Sequence, residues 1–426
     1  MCCHFVKNKK NHRFLAHRFP YLRKKHYFCE TINNPFLRLS LKTMTRLRFS
    51  LSAWRHLRSI GLVLIAMTTC CCTGNAQGGS PQNDSTLQEP EYHEVTLLFG
   101  GDLMQHEAQI KSAYRQGGKY DYSGVFDLMA PKIQEADLAI ANFEVTLGGS
   151  NFKGYPQFCA PDEYLQAAID CGFDILTTCN NHSVDTYGRG IDRTITMMDS
   201  LGVKHLGTYR NMEERNALYP FIIEKNDIRI CLLNYTYGTN GIPVPKPYVV
   251  NLIDTTVIAQ DIAKAKSLNP DVIICIPHWG DEYQLLPNKA QRELADWMFA
   301  HGIDHIVGGH PHVVEPIEVR EFNGEKHLLA YSLGNFVSNQ SRPNTDGGTM
   351  VRMTLAKTDN HTQLLNCDYS LYWVSRPVTS GLRHFRVIPA SYPSDSLNAT
   401  ERAKRDTYLK NTRALFEKHN KGIKEK

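Results

Sequence analysis

The chain has 426 residues, with 48 Lys and Arg against 43 Asp and Glu, for a formal net charge of +5. Its length leaves room for two or three domains, but the basic excess is confined to the front. Residues 1–76 hold fourteen of the basic residues and one acid, Glu30, leaving 34 basic and 42 acidic residues behind them, a net of −8. That balance excludes nucleic acid as a partner of the main part of the chain.

Residues 1–43 carry ten Lys or Arg and show no apolar period. They read as a basic arm or as an upstream stretch ahead of the true start at Met44. The second reading is preferred, because a secretory leader follows that Met. Arg46, Arg48, Arg55 and Arg58 form its basic region, and Ile60 to Met67 an apolar run too short to span a bilayer comfortably. Two processing outcomes fit. One of Cys70, Cys71 and Cys72 becomes a lipidated first residue, although Thr69 stands where Gly or Ala is usual; or cleavage follows Ala76. Either way the expectation is an exported chain, periplasmic or in the outer envelope, with residues 77–91 as a polar tether. Six cysteines remain after the leader, and their spacing shows no disulfide framework.

From residue 94 strands and helices alternate. Val95 to Phe99 is a nearly unbroken apolar run, as for a strand covered on both faces. Val125–Ala136 has helical spacing, and Leu138–Asn142 is a second strand. Pro161 opens a helix that Gly172 closes. Phe173–Thr177 is a strand, Gly190–Ser200 a helix, and Lys204–Leu206 a short strand. Pro220–Glu224 and Arg229–Tyr235 flank a turn at Asn226-Asp227. Helix Thr255–Ser267, strand Asp271–Ile276, helix Lys289–Ala300 and strand Asp304–Val307 follow. Strands alone come next: Pro316–Glu321, Lys326–Tyr331 across an Asn323-Gly324 turn, Thr349–Leu355, Leu364–Trp373 and Leu382–Ile388. A charged amphipathic helix ends the chain. The expectation is one large domain over 92–395, α/β in its first half and β-rich in its second, with the helix in 396–426.

Short polar islands sit where the apolar runs stop. They are Gly100-Gly101-Asp102, Asn142-Phe143-Glu144, Asn180-Asn181-His182, His278-Trp279-Gly280-Asp281-Glu282 and Gly308-Gly309-His310-Pro311-His312. A lone Asp after a strand is usually a turn residue, and a lone Asn run is as readily a helix cap. Five islands in one chain supply carboxylates, amides and imidazoles together, the donor set of a two-metal hydrolytic centre. Asn142 and Glu144, at i and i+2, share a face, as do His310 and His312. Asp185, three residues after His182, is placed to hold its imidazole as a general acid requires. Trp279 and Glu282 are expected to wall the site.

The order of these motifs, continued by Ser332-Leu333-Gly334-Asn335-Phe336, resembles the bacterial poly-γ-glutamate capsule biosynthesis (CapA-like) family of the calcineurin-like metallophosphatase superfamily. The resemblance spans residues 94 to 340. It implies a four-layer α/β/β/α sandwich with two divalent ions, Mn, Fe, Zn or Mg, at the strand ends. Asp102 and His312 would hold one ion, Asn181, His278 and His310 the other, with Glu144 bridging. His182 would act as the acid, supported by Asp185, with Asn142, Trp279, Glu282 and Asn335 contacting substrate or the ligands. Two positions depart from the superfamily pattern. Met104 stands where a His ligand is usual, so one ion lacks a donor unless His106 or water supplies it. Glu144 stands where Asp is usual.

The implied function is that of a metal-dependent hydrolase or transferase of a cell-envelope polymer or its precursor, poly-γ-glutamate or similar, working beside membrane-bound capsule synthesis machinery. The alternatives are a non-catalytic capsule export or assembly protein and a general periplasmic phosphodiesterase. A net charge of −8 does not steer a polyanion, so contact with one requires a local basic groove. Arg189, Arg193, Arg320 and Arg342 are the candidates for it.

Overall fold

The computed structural model describes residues 91–322 and 324–426. The basic extension 1–43, the leader 44–76, the tether up to residue 90 and Asn323 lie outside the described residues. The first strands and helices are β1 (Tyr92–Leu103), β2 (Leu138–Phe143), α1 (Asp162–Cys171), β3 (Ile175–Thr177), α2 (Tyr187–Leu201) and β4 (Lys204–Leu206). These four strands pair in parallel in the order written. Each crossover helix stops where the sequence signals it. Gly172 and Gly202 close α1 and α2 at φ 116° and 73°, conformations that cost glycine little.

The second sheet begins with a hairpin, β5 (Phe221–Lys225) and β6 (Ile228–Thr236). Its turn places Asn226 and Asp227 at φ 51° and 58°, the left-handed pair a two-residue hairpin requires. Next come α3 (Thr255–Ser267), β7 (Val272–His278), α4 (Lys289–His301) and β8 (His305–Val307), two further parallel crossovers. The β9 (Ile317–Phe322) and β10 (Glu325–Ala330) hairpin completes this sheet, in the order β9-β10-β8-β7-β6-β5.

The chain then returns to the first sheet. β11 (Asn335–Val337) pairs with the end of β1, while β12 (Gly347–Thr358), β13 (His361–Ser375) and β14 (Arg386–Pro389) extend the sheet antiparallel on its other side. α5 (Ala399–His419) lies on β13, with the Phe416 and Tyr369 rings 4.9 Å apart.

Alternation along the strands builds the layers. Val95, Leu97, Phe99, Leu138 and Ile140 face the second sheet and join a core with Ile230, Leu232 and Ile274. Leu98, Ala139, Ala141 and Leu176 face the other way, against Tyr164, Leu165 and Met198 of α1 and α2. α3 and α4 bury Ile258, Ile262, Ala295 and Met298 on the far face of the second sheet. The result is the expected four-layer α/β/β/α sandwich, with a β-rich second half and a C-terminal helix. Each buried Leu or Ile is worth about 1.5–3 kcal/mol, so this double-sided burial holds the strand ends still.

Two local expectations differ. Val125–Ala136 forms two short turns, Ser123–Phe126 and Ala130–Ile133, because Pro131 cannot donate the hydrogen bond that would continue the first. Leu382–Ile388 divides into a two-residue strand, Leu382–Arg383, and β14. Among the described residues no helix is long and apolar enough to cross a membrane.

Candidate metal centre

All five polar islands meet at the ends of β1, β2, β3, β7 and β8, in the seam between the sheets. A bulge places the first carboxylate there. Phe99 pairs with Ile140 but Asp102 pairs with Asn142, so β1 carries one extra residue. That residue turns Asp102 onto the face of Val95, Leu97 and Phe99 and toward the second sheet. Gly101 makes the bulge possible: a Cβ there would lie 2.0 Å from the Gly334 carbonyl oxygen, which accepts the Asp102 N–H at 3.0 Å.

Asp102 and Glu144 are both fully buried. The Asn142 amide lies between them, donating to Asp102 Oδ1 at 2.8 Å and to Glu144 Oε2 at 3.0 Å. Three imidazoles surround the pair. His312 Nδ1 is 3.5 Å from Asp102 Oδ2, and its Nε2 is 3.8 Å from Glu144 Oε1. His278 Nε2 is 3.7 Å from the same Glu144 oxygen and 2.7 Å from Asn181 Oδ1. The His310 ring centroid lies 4.8 Å from that of His278 and 5.8 Å from that of His312. Residues up to 210 positions apart in the chain thus share one pocket. Asn335 donates to Gln340 and accepts from His312 Nδ1 at 3.1 Å, which leaves Nε2 as the free ligand atom of that ring.

The electrostatics are those of a site built for cations. Burial first, then the neighbouring Asp102, pushes the Glu144 carboxyl well above its usual range. Burial, reinforced by the other imidazoles, holds His278 and His310 well below theirs, so both rings are neutral and able to ligate. Among the described residues no Lys or Arg pairs with Asp102 or Glu144, and the basic side chains nearest their oxygens are imidazoles. Glu144 Oε1 and His310 Nδ1 are buried with no hydrogen-bond partner. A buried, unpaired carboxylate oxygen is costly, and a divalent ion answers it. Asp102, Glu144 and His312 bring one ligand atom each within 4.8 Å of one another, and Glu282, His310 and His312 form a second such group. The donor set therefore fits metal. His310 and His312 also adopt φ of 102° and 59°, strain that a site-forming turn tolerates.

His182 stands beside this group. Its Nδ1 is 2.6 Å from Asp185 Oδ2, and the Phe158 N–H donates to the same Asp185 oxygen. Burial raises the Asp185 carboxyl and His182 lowers it. The far nitrogen, Nε2, meets only the Asn240 amide, at 3.5 Å. The other expected residues sort themselves by position. Trp279 is buried under the site: its indole N–H donates to the Tyr331 carbonyl at 2.9 Å and its ring stacks on Tyr331. It props Gly308 and walls nothing. Met104 is buried in the apolar cluster on the helix side of the first sheet. His106 joins neither metal-ligand group, and its Nδ1 accepts the Asn339 N–H at 3.3 Å.

Arg193 forks onto Asp162, and Arg320 pairs with Asp296 and Glu318 at the edge of the second sheet. Arg189 is exposed on α2. Arg342 alone among the four reaches the site's surroundings, its guanidinium 4.7 Å over the ring of Tyr283, which leans on His312 at 6.1 Å.

Three neighbours were not singled out in the sequence. Asn240 Oδ1 accepts from Asn181 Nδ2 at 3.2 Å, the Tyr237 ring lies 4.6 Å from that of His310, and Tyr283 approaches His312. Tyr237 and Asn240 follow β6 in the stretch Thr236–Gly241, where an apolar run stops in polar residues. The signal that marked the other five islands was present there too.

The chain is similar to known proteins over much of its length. Residues 96–340 match the family described as bacterial capsule synthesis protein PGA_cap. The chain is 28% identical over 315 residues to the capsule biosynthesis protein CapA of Bacillus anthracis, covering 71% of this chain and 74% of that one. It is 30% identical over 272 residues to the PGA biosynthesis protein CapA of Bacillus subtilis (strain 168), covering 62% and 68%. Among solved structures, the calcineurin-like phosphoesterase YfkN of Bacillus subtilis aligns with 76% of this chain and 98% of its own, at 14% identity and a TM-score of 0.41. With more than half of its length matched, the chain belongs to the bacterial capsule synthesis protein family PGA_cap.

Proposed function

We propose that the protein is an exported, metal-dependent hydrolase or transferase that acts on a capsule or cell-envelope polymer of the poly-γ-glutamate kind, or on its precursor, beside the membrane-bound synthesis machinery. One observation carries the reading: two fully buried carboxylates, one with an unpartnered oxygen, face three imidazoles and, among the described residues, no Lys or Arg. Asp102, Glu144, Asn181, His278, His310 and His312 would hold two divalent ions, which supply Lewis-acid activation of water and of the scissile bond. Ligand chemistry alone admits Mn, Fe, Zn or Mg. The two relatives are named for capsule or PGA biosynthesis, which supports the polymer as substrate class.

The chain's own residues supply the proton. Acting as the acid, His182 would hold a proton on each ring nitrogen: the Asp185 carboxylate accepts Nδ1–H at 2.6 Å and fixes the ring plane, and Nε2–H is the proton given up. Phe158 packs edge-on against the imidazole at 4.5 Å, so the ring cannot swing away. When the scissile bond breaks, the departing atom, the ester oxygen of a phosphodiester or the amide nitrogen of poly-γ-glutamate, takes the Nε2 proton and leaves neutral.

The test pairs metal analysis of protein purified without chelators with assays on a phosphodiester and on poly-γ-glutamate. His182→Ala should keep its metal and lose turnover by about 10²–10⁴-fold on a poor leaving group. The loss should shrink with nitrophenolate, which needs no proton to depart. His310→Ala should lose metal and activity together. Equal metal loss in both variants would show His182 to be a ligand. Variants without effect on capsule assembly in a protein that still folds would favour the non-catalytic assembly role.

A further inference from the structure

The geometry points to Glu282 as a metal ligand, taking the coordination place that Met104 leaves unfilled. The inference rests on the metal centre proposed above and assigns one of its donors. Met104 cannot be reached from the site, because its side chain is 1% exposed and lies in the apolar cluster with Phe143 and Tyr164. His106, the other candidate by sequence position, joins no group of converging ligand atoms.

Glu282 does converge. One of its carboxylate oxygens lies with nitrogens of His310 and His312 in a group whose members are all within 4.8 Å of one another. His312 also belongs to the group with Asp102 and Glu144, so Glu282 shares a neighbour with the ion that lacks a donor, while its other neighbour, His310, belongs to the ion whose donors are already complete.

The backbone holds Glu282 there. The Trp279 N–H donates to the Gly309 carbonyl at 3.1 Å, the Gly309 N–H to the Pro277 carbonyl at 3.0 Å, and the Tyr283 N–H to the Pro311 carbonyl at 2.8 Å. These three bonds lace the 278–283 turn to the 308–312 turn. Gly280 and Tyr283 adopt φ of 92° and 67°, which folds the segment back over the histidines. A tyrosine in the left-handed region is a strained residue, and the strain presents the carboxylate next to it. No Lys or Arg among the described residues forms an ion pair with Glu282. Two buried imidazoles and an exposed carboxylate thus offer a cation three converging donors.

Because Glu282 is exposed, its replacement should not disturb the fold. Wild type, Glu282→Ala, Glu282→Asp and His310→Ala are stripped with chelator, dialysed and titrated with Mn2+. Bound metal is followed by calorimetry and by the loss of the free-ion EPR signal. Wild type should take up two equivalents. Glu282→Ala should bind one equivalent as wild type does and the other at least tenfold more weakly, with Glu282→Asp in between. His310→Ala should weaken the opposite equivalent, the one it would share with Asn181 and His278. Two wild-type affinities in Glu282→Ala would overturn the assignment while leaving the metal centre standing. A wild-type chain that binds no Mn2+ would overturn both.

Discussion

Replacing Glu144 by Gln should reverse its effect on stability depending on whether metal is present. In chelator, burial and Asp102 raise the Glu144 carboxyl well above its usual range. A carboxyl with a raised folded-state pKa contributes stability that is complete below its unfolded value, roughly 4.3, and that is lost as pH rises through the folded value. Near pH 5 the neutral Gln is therefore a close substitute, and the two proteins should melt together. As pH rises, the unfolded wild type ionises Glu144 while burial and Asp102 oppose that ionisation in the folded state, so the variant should become the more stable. Metal inverts the order. At a free concentration of 100 times Kd, one ion stabilises the wild type by about 2.7 kcal/mol. A hundredfold loss of affinity in Glu144→Gln leaves about 0.4 kcal/mol at the same concentration. For a chain of this size that difference is roughly 3 °C in melting temperature per ion. Thermal melts from pH 5 to 9, in EDTA and in excess Mn2+, check it. If Glu144→Gln keeps the wild-type metal shift, Glu144 is no ligand; if it melts lower in EDTA at every pH, the buried-carboxyl argument fails.

Glu315 lies buried two residues beyond Val313, its Oε2 accepting from Gln291 at 2.7 Å and its Oε1 unpartnered; burial pushes its carboxyl up to about 8. Its stabilising contribution should fade by about 1.4 kcal/mol per pH unit as pH rises from roughly 4.3 toward that value, so Glu315→Gln should gain on the wild type in melts across that range; a pH-independent difference would refute this. Gly101→Ala would set a Cβ 2.0 Å from the Gly334 oxygen, and urea unfolding should show a loss of about 3 kcal/mol. Asn335→Ala frees the His312 Nδ1 that it now holds at 3.1 Å, and metal titration should show affinity about 10–100-fold weaker.

The sequence was legible where one residue type has one physical meaning. Pro161 and Gly172 bracket α1 because one lacks an N–H and the other lacks a Cβ, and Asn226-Asp227 turns a hairpin because both tolerate a left-handed φ. The polar islands were legible because parallel strands buried on both faces can expose chemistry only at their ends. What escaped depends on contacts made across the fold. The extra residue in β1 shows only against the register of β2, yet it decides which way Asp102 points. Trp279 looked like a wall because it follows His278, but alternation sends it to the opposite face, where the Tyr331 carbonyl takes its indole proton. The four arginines were equal in sequence, and partners supplied by α1, α4 and β9 removed two of them from consideration. Glu282 was placed near the site by its distance from His278 alone. Its closeness to His310 and His312 follows from hydrogen bonds between two turns some thirty residues apart, which no local pattern contains.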